Sequence, residues 1–295
     1  MTIPVYVFVI AAAVFLLALF LGVNHIRQQR LIRQLKELAR SLEESKKQLI
    51  QEQEHNRQLK QEMTSNIAHE LKTPVSSIRG YLEILLGDKP VDEQKRRFFL
   101  ERCFSQTLRL SDLINDVSLI NKLEESSDLF PKEEISVNDI ANEAVLELEE
   151  ACKTHNITVT NALPGPMNMV GNHSLIYCIF RNLLENAISY AGDGSEVGFD
   201  CYRKDDERYY FHFYDTGRGV DNKYLPKLFD RFLRIDDGRS RKSGGTGLGL
   251  SIVKHAVLFH GGEIYVRNRE GAASPSDAPA TPVTGLEFFF SLKKR

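Results

Sequence analysis

Residues 66–74 read Asn-Ile-Ala-His-Glu-Leu-Lys-Thr-Pro. Through and beyond them, Ile67, Leu71, Val75, Ile78, Leu82 and Leu85 recur at steps of three and four, the spacing of one apolar face of a helix. At about 100° per residue, His69 lies roughly 170° from the centre of that stripe, so it points away from the core. Thr73 follows one turn later on nearly the same outer face. Glu70 adjoins His69, so the stretch offers an outward imidazole with a carboxylate at its side, a nucleophile with an orienting or basic partner. A lone histidine of this kind is ordinarily a solvated surface residue, and only the remainder of the chain can raise it above that.

The spacing predicts helices over 63–87 and 92–124, separated by Gly87, Asp88, Lys89 and Pro90, residues that break helices. The second helix has its own apolar face in Phe99, Cys103, Leu110, Leu113, Val117 and Ile120. Two helices cannot enclose a core, so the expectation is a two-fold dimer that closes a four-helix bundle. Upstream, no Gly or Pro occurs between Val23 and Pro74. Leu31, Leu35, Leu38, Leu42 and Leu49 follow alternating steps of four and three, with Ser45 in the missing place, which reads as a coiled-coil seam. Glu52 and Asn56 weaken it before Leu59 and Met63 restore it.

Residues 3–23 carry no charge, and as a helix they would span roughly 31 Å, about one hydrocarbon core. No basic segment precedes them and the apolar run is long for a signal peptide. Arg27, Arg30, Arg33 and Lys36 follow, which predicts a single-pass anchor in contact with lipid and a cytoplasmic C-terminal side. With Met1 and Thr2 alone before the run, no outer domain is expected. Apolar residues at 42% and charged residues at 26% belong to a folded protein, and a net charge of −2 gives no drive toward nucleic acid. Cys103, Cys152, Cys178 and Cys201 fit no zinc or redox spacing and are expected to be reduced.

After about residue 127 the pattern becomes mixed. Strand-like runs at 157–161, 196–203, 208–214, 263–269 and 286–292 alternate with helical patterns at 138–154, 173–191 and 247–260, an α+β arrangement. Residues 271–285, rich in Ala, Ser, Pro and Gly, read as a long loop. On the 173–191 helix, Asn182 and Asn186 share a face four residues apart, and an amide oxygen suits Mg²⁺. Asp215 ends a strand and is followed by Gly217 and Gly219, so a carboxylate can accept from an exocyclic amine while bare backbone approaches a flat base. Gly244, Gly245, Gly247 and Gly249 precede a helix starting near Leu248, where free amides and the positive dipole end favour phosphate. No Lys follows the last glycine, so this is no P-loop, and no strand precedes it, which argues against a dinucleotide fold. Residues 220–243 read as a lid able to bring Arg231, Arg234 or Arg239 to phosphates. Taken singly, the asparagine pair could be a surface or capping pair and the Asp-Gly stretch a plain turn.

In this order and at these spacings, the chain resembles the membrane-bound sensor histidine kinases with a helical-hairpin phosphoacceptor domain. His69-Glu70-Leu-Lys-Thr73-Pro74 is similar to their histidine box, Asn182–Ala187 to the N box and Asp215–Gly219 to the first glycine box. Leu228-Phe229-Asp-Arg-Phe232 is similar to the phenylalanine box, and Gly244–Leu250, with Gly245, Thr246, Gly247, Leu248 and Gly249, to the second glycine box. The resemblance covers about residues 63–295 and implies the ATP-binding fold shared with gyrase and mismatch-repair ATPases. Together with the anchor at 1–25 and the coiled-coil linker at 26–62 read above, this gives a multi-domain chain in which the resemblance implies a dimerisation and phosphotransfer hairpin at 63–126 and an α+β sandwich at 127–295. It further implies ATP and Mg²⁺ as cofactors, with the metal held through Asn186 and adenine against Tyr190. The implied partners are a second copy of the chain and the receiver domain of a response regulator, at a bacterial cytoplasmic membrane. Autophosphorylation would fall on His69, and Thr73 would position water to dephosphorylate the regulator. Where hydrolytic relatives carry a water-activating glutamate, this chain has Asn182, which cannot take a proton. It departs from the pattern at Ser189, where Lys is frequent, in a longer 271–285 loop, and in having no module between the anchor and the hairpin.

Overall fold

The computed structural model describes residues 5–87, 89–125, 129–235, 246–269 and 285–295, with side chains from residue 14 onward except at 26, 31, 55, 56, 59 and 125. Gly244, Gly245, Arg239 and residues 271–284 therefore lie outside the described residues. Contacts divide the chain into two units, Met1–Ser65 and Asn66–Arg295.

The first unit is the N-terminal part of helix α1 (Val5–Leu86). Leu35, Leu38, Leu42 and Leu49 of the leucine seam are each more than half exposed. Among the described residues no helix is long and apolar enough to cross a membrane. The sequence-predicted span at 3–23 is only partly among them: residues 3 and 4 are outside, as are the side chains of 5–13. The part of that run with described side chains, Val14–Val23, would cover about 15 Å of helix, half a hydrocarbon core.

In the second unit, the end of α1 and helix α2 (Glu93–Glu125) form the hairpin. Tyr81 stacks on Phe99 at 5.6 Å, and the thiol of Cys103 lies 3.8 Å from the Ile78 carbonyl. Leu113 and Ile120 are the fully packed positions of α2. Pro74 sits inside α1. Lacking an N–H, it leaves the carbonyl of Glu70 without its i+4 donor, one residue from His69.

The α/β lobe runs β1 (Glu133–Ser136), α3 (Val137–Glu147), α4 (Glu149–Thr154), β2 (Thr158–Ala162), β3 (Asn168–Gly171), α5 (His173–Tyr190), β4 (Glu196–Lys204), β5 (Arg208–Asp215), α6 (Gly249–Phe259), β6 (Ile264–Asn268) and β7 (Leu286–Lys293). The main sheet has the order β2-β4-β5-β7-β6, parallel between β2 and β4 and antiparallel elsewhere. Its inner face presents Val197, Phe199, Phe211, Phe213, Phe288 and Phe290 to the buried faces of α3, α5 and α6. Phe180 of α5 sits at the centre, 5.4 Å from Phe199 and about the same ring spacing from Phe211 and Phe290, at 6.2 and 6.1 Å. Truncating so buried an aromatic ring costs about 3–5 kcal/mol.

Two features depart from the sequence expectation. The helix expected over 138–154 is two, because the chain leaves helical geometry at Leu148 (φ −93°, ψ 6°). A separate antiparallel pair, β1 with β3, was not anticipated. Its strands are four residues each, too short for alternation to stand out.

Candidate functional site

Helix α5 buries Leu175, Ile176, Ile179, Phe180, Leu183, Leu184 and Ala187, and this leaves Asn182 and Asn186 together on its other side. Its start is pinned. The Asn172 side chain accepts the Leu175 N–H at 3.1 Å and donates to the Pro131 carbonyl at 2.9 Å. The Asn172 N–H in turn donates to Nε2 of His260 at 3.0 Å, and Nδ1 of His260 donates to the Ala256 carbonyl at 2.7 Å. Burial holds His260 neutral, with its pKa lowered to about 4.

One end of the candidate cleft lies at the end of β5. Asp215 is 4% exposed, and its Oδ1 accepts the N–H of Gly217 at 2.8 Å and of Leu286 at 3.3 Å. Burial raises its pKa, and the two amides oppose that rise. A Cβ at Gly217 would stand 2.5 Å from Cα of Ala191 and 2.8 Å from Oδ1 of Asp215, so only glycine permits this approach. Gly219 has φ +67°. The loop that carries it is held by Asn268, which accepts the Val220 N–H at 2.9 Å and donates to the Val220 carbonyl at 2.7 Å. Tyr190, the last residue of α5, is 39% exposed.

The other end is assembled at the start of α6. A Cβ on Gly249 would lie 2.5 Å from Oδ1 of Asn182, so glycine lets the helix start meet that amide oxygen. The amide nitrogen of Asn182 donates to the Cys178 carbonyl at 2.8 Å, which turns Oδ1 outward from its own helix. Gly247 has φ +72°, and its carbonyl accepts the N–H of Phe232, itself at φ +61°. Phe229 packs edge-on against Phe288 at 6.4 Å and is partly buried against the core of the lobe. A cradle that a methyl group would fill, beside an amide oxygen and a helix N-terminus, fits a nucleotide's phosphates with a hard cation.

This end is also where the lobe meets the hairpin. The Thr246 hydroxyl accepts the Leu248 N–H at 3.2 Å and donates to Oδ2 of Asp116 on α2 at 2.9 Å. Burial raises the pKa of Asp116. Arg231 pairs with Glu124 of α2 and contacts His255 at 3.3 Å. Arg234 was expected to reach phosphates. Its Nη1 lies 3.6 Å from Oε2 of Glu70, whose side chain is 19% exposed.

On α1, the His69 side chain is 80% exposed and that of Glu70 is 19% exposed. Nδ1 of His69 stands 3.9 Å from Oε1 of Glu70, and Nη2 of Arg109 stands 3.5 Å from the other oxygen, Oε2. The Thr73 hydroxyl donates to the His69 carbonyl at 3.3 Å. The residues proposed from sequence thus form two groups, His69–Glu70–Thr73 and the Asn182–Asp215–Gly249 cleft, joined through Arg234. Sequence reasoning missed Arg109, Asp116, Asn268 and His260, none of which sits in a motif.

Among known protein families, residues 59–126 match the His Kinase A (phospho-acceptor) domain, and residues 171–294 match the histidine kinase-, DNA gyrase B- and HSP90-like ATPases. The sensor-like histidine kinase SenX3 of Mycolicibacterium smegmatis is 32% identical over 215 residues, which cover 73% of this chain and 56% of that protein. The phosphate regulon sensor protein PhoR of Pseudomonas aeruginosa is 33% identical over 223 residues, 74% of this chain and 49% of that protein. The chain therefore spans about half the length of these relatives. Among solved structures, the histidine kinase ThkA in complex with the response regulator protein TrrA superposes with a TM-score of 0.59 at 21% identity, over 79% of this chain and 61% of that one. At that identity the likeness is one of fold.

Proposed function

The chain belongs to the sensor histidine kinase family, and from that premise we propose that it transfers the γ-phosphoryl group of ATP to His69 and passes it on to an aspartate of a response regulator. What carries this reading is the Arg234–Glu70 ion pair at 3.6 Å, which joins the phosphate-side segment of the lobe to the carboxylate beside the exposed histidine.

Nδ1 of His69 lies 3.9 Å from Oε1 of Glu70, and closing that gap to a hydrogen bond would hold the proton on Nδ1 and leave Nε2 with the free lone pair. Attack by Nε2 forms the P–N bond as the bond from the γ-phosphorus to the β,γ-bridging oxygen breaks, and ADP leaves. Glu70 takes up the positive charge that develops on the ring by accepting from Nδ1. Asp215 would accept from the adenine amine, with Gly217, Gly219 and Tyr190 about the base, and the Thr246–Gly249 helix start would receive the phosphates. Asn186, with Oδ1 of Asn182 one turn before it, would hold Mg²⁺, which offsets charge on the transferring group when bound.

Dimerisation is supported by the open face of the hairpin. A groove of about 450 Å³ lies among Ile67, Leu71, Leu113, Ile114 and Val117, and Val75, Leu100, Phe104 and Leu108 are at least half exposed. An apolar surface of that kind calls for a second hairpin. The exposed leucine seam in the first unit supports a coiled coil. The uncharged run at 3–23 and the arginines after it support a single-pass anchor in a bacterial cytoplasmic membrane, with the lobe on the cytoplasmic side.

The test is direct. The full chain in lipid nanodiscs, given γ-labelled ATP and Mg²⁺, is expected to take an acid-labile, base-stable label that falls to background in His69→Gln. ATP hydrolysis without protein label would replace this reading with that of a plain ATPase. A second activity, regulator dephosphorylation, is supported by Thr73. Its hydroxyl makes only a 3.3 Å bond to the His69 carbonyl and stays exposed, able to accept from a water. Thr73→Ala is expected to slow dephosphorylation of the regulator at least about 10-fold while autophosphorylation is unchanged, on the scale of a lost positioning group.

A further inference from the structure

We infer that Arg109 of α2 is a positioning residue for transfer to His69, acting through Glu70. The argument begins with the two oxygens of one carboxylate. Oε1 of Glu70 faces Nδ1 of His69 at 3.9 Å, and Oε2 is bound by Nη2 of Arg109 at 3.5 Å. The side chains of Glu70 and Arg109 are each 19% exposed, against 80% for His69. The exposed nucleophile is therefore backed by a largely covered ion pair that reaches across the hairpin.

A glutamate has three side-chain torsions, and on an exposed helix it samples many rotamers. Anchoring one oxygen to a cation on a neighbouring helix removes most of that freedom and leaves the other oxygen aimed at the ring. A positioned acceptor at Nδ1 is what selects Nε2 as nucleophile. Arg234 also approaches Oε2, at 3.6 Å, but it belongs to the lobe. Arg109 belongs to the hairpin itself, so it can hold Glu70 whether or not the lobe is docked. This distinguishes the two arginines: Arg234 links Glu70 to lobe position, and Arg109 keeps Glu70 oriented throughout.

The inference rests on the transfer reaction proposed above, and the experiment separates the two. Autophosphorylation of the full chain is measured as kcat and KM for ATP in wild type, Arg109→Gln, Arg109→Lys, Glu70→Gln and the Glu70→Gln/Arg109→Gln double variant. Arg109→Gln is expected to lower kcat about 10- to 100-fold with KM for ATP unchanged, a loss on the scale of a misdirected acid–base group. Arg109→Lys, which keeps the charge, is expected to recover part of it. In the Glu70→Gln background the further effect of Arg109→Gln should be less than about 2-fold, because residues acting through one another are not additive. An equal loss in both backgrounds overturns the inference, as does a fall in kcat matched by a rise in KM. Should Arg109→Gln fail to melt cooperatively, the same cycle run with Arg109→Lys decides by the same criterion. If wild type takes no label, the proposed function fails; if wild type and Arg109→Gln label equally fast, only the role of Arg109 fails.

Discussion

The two ends of the nucleotide cleft are built by different means. Around Asp215 every partner is in the lobe: Gly217 and Leu286 donate to its carboxylate, and Asn268 ties the following loop to β6. Around Thr246 and the arginines the partners are carboxylates of the hairpin, namely Asp116, Glu124 and Glu70. The Asp215 end is made complete by packing within one domain. At the Thr246 end, donors suited to an anion already hold side-chain anions from elsewhere in the chain. On the proposed reading a nucleotide would meet the first end as it stands, whereas at the second its phosphates would compete with Asp116, Glu124 and Glu70.

The largest expected effect separates the ends by pH. His260 supports α5, and its fold requires the neutral ring, because Nε2 accepts from Asn172. Its pKa, lowered from 6.5 to about 4, means that the unfolded chain binds a proton which the folded lobe does not. The stability is therefore fully present above about pH 6.5 and is lost as pH falls toward 4, a loss of about 3 kcal/mol. Denaturant unfolding at pH 7 and pH 4.5 should show that loss in wild type and a clearly smaller one in His260→Gln. An equal pH dependence in the two proteins would remove His260 as its source.

Asp215→Asn probes the preformed end. The amide oxygen can keep both backbone bonds, but the new NH₂ cannot accept from an adenine amine. ATP should bind about 10- to 100-fold more weakly, the cost of a lost buried acceptor. The melting temperature should stay within about 2 °C, since no packing is removed. Calorimetric titration and a thermal melt check the pair, and a large fall in melting temperature would make Asp215 a structural residue first.

Asp116→Ala probes the occupied end and carries the smallest effect. Freeing the Thr246 hydroxyl should tighten binding of a non-hydrolysable ATP analogue about 2- to 10-fold, the net worth of one hydrogen bond. Weaker binding in this variant would reverse the comparison and make Asp116 part of the nucleotide site.

Much of this architecture was legible beforehand. The five strands of the main sheet and the helices α5 and α6 follow from alternation and helical periodicity, and the hairpin loop from Gly87 and Pro90. The close contacts at Gly217 and Gly249 were legible because a close approach demands glycine, and glycine is visible in any sequence. Arg109, Asp116 and His260 were not, since each acts through a partner that is remote in sequence: Glu70, Thr246 and Asn172. The Arg234–Glu70 pair was not legible either, because charge alone does not say which partner lies within reach.

From the order of its residues alone, the chain determined which groups could do chemistry: an outward His69 with Glu70 beside it, and glycines that open a cleft. Those follow from local geometry, because a helix repeats every 3.6 residues and a missing Cβ needs no context. Tertiary structure decided which oxygen of Glu70 faces His69, which arginine holds the other, and which end of the cleft meets the hairpin. Ion pairs and hydrogen bonds are set by distances between residues that lie 39 or 130 positions apart, and only the packing of helices on a sheet brings such residues within a few ångströms.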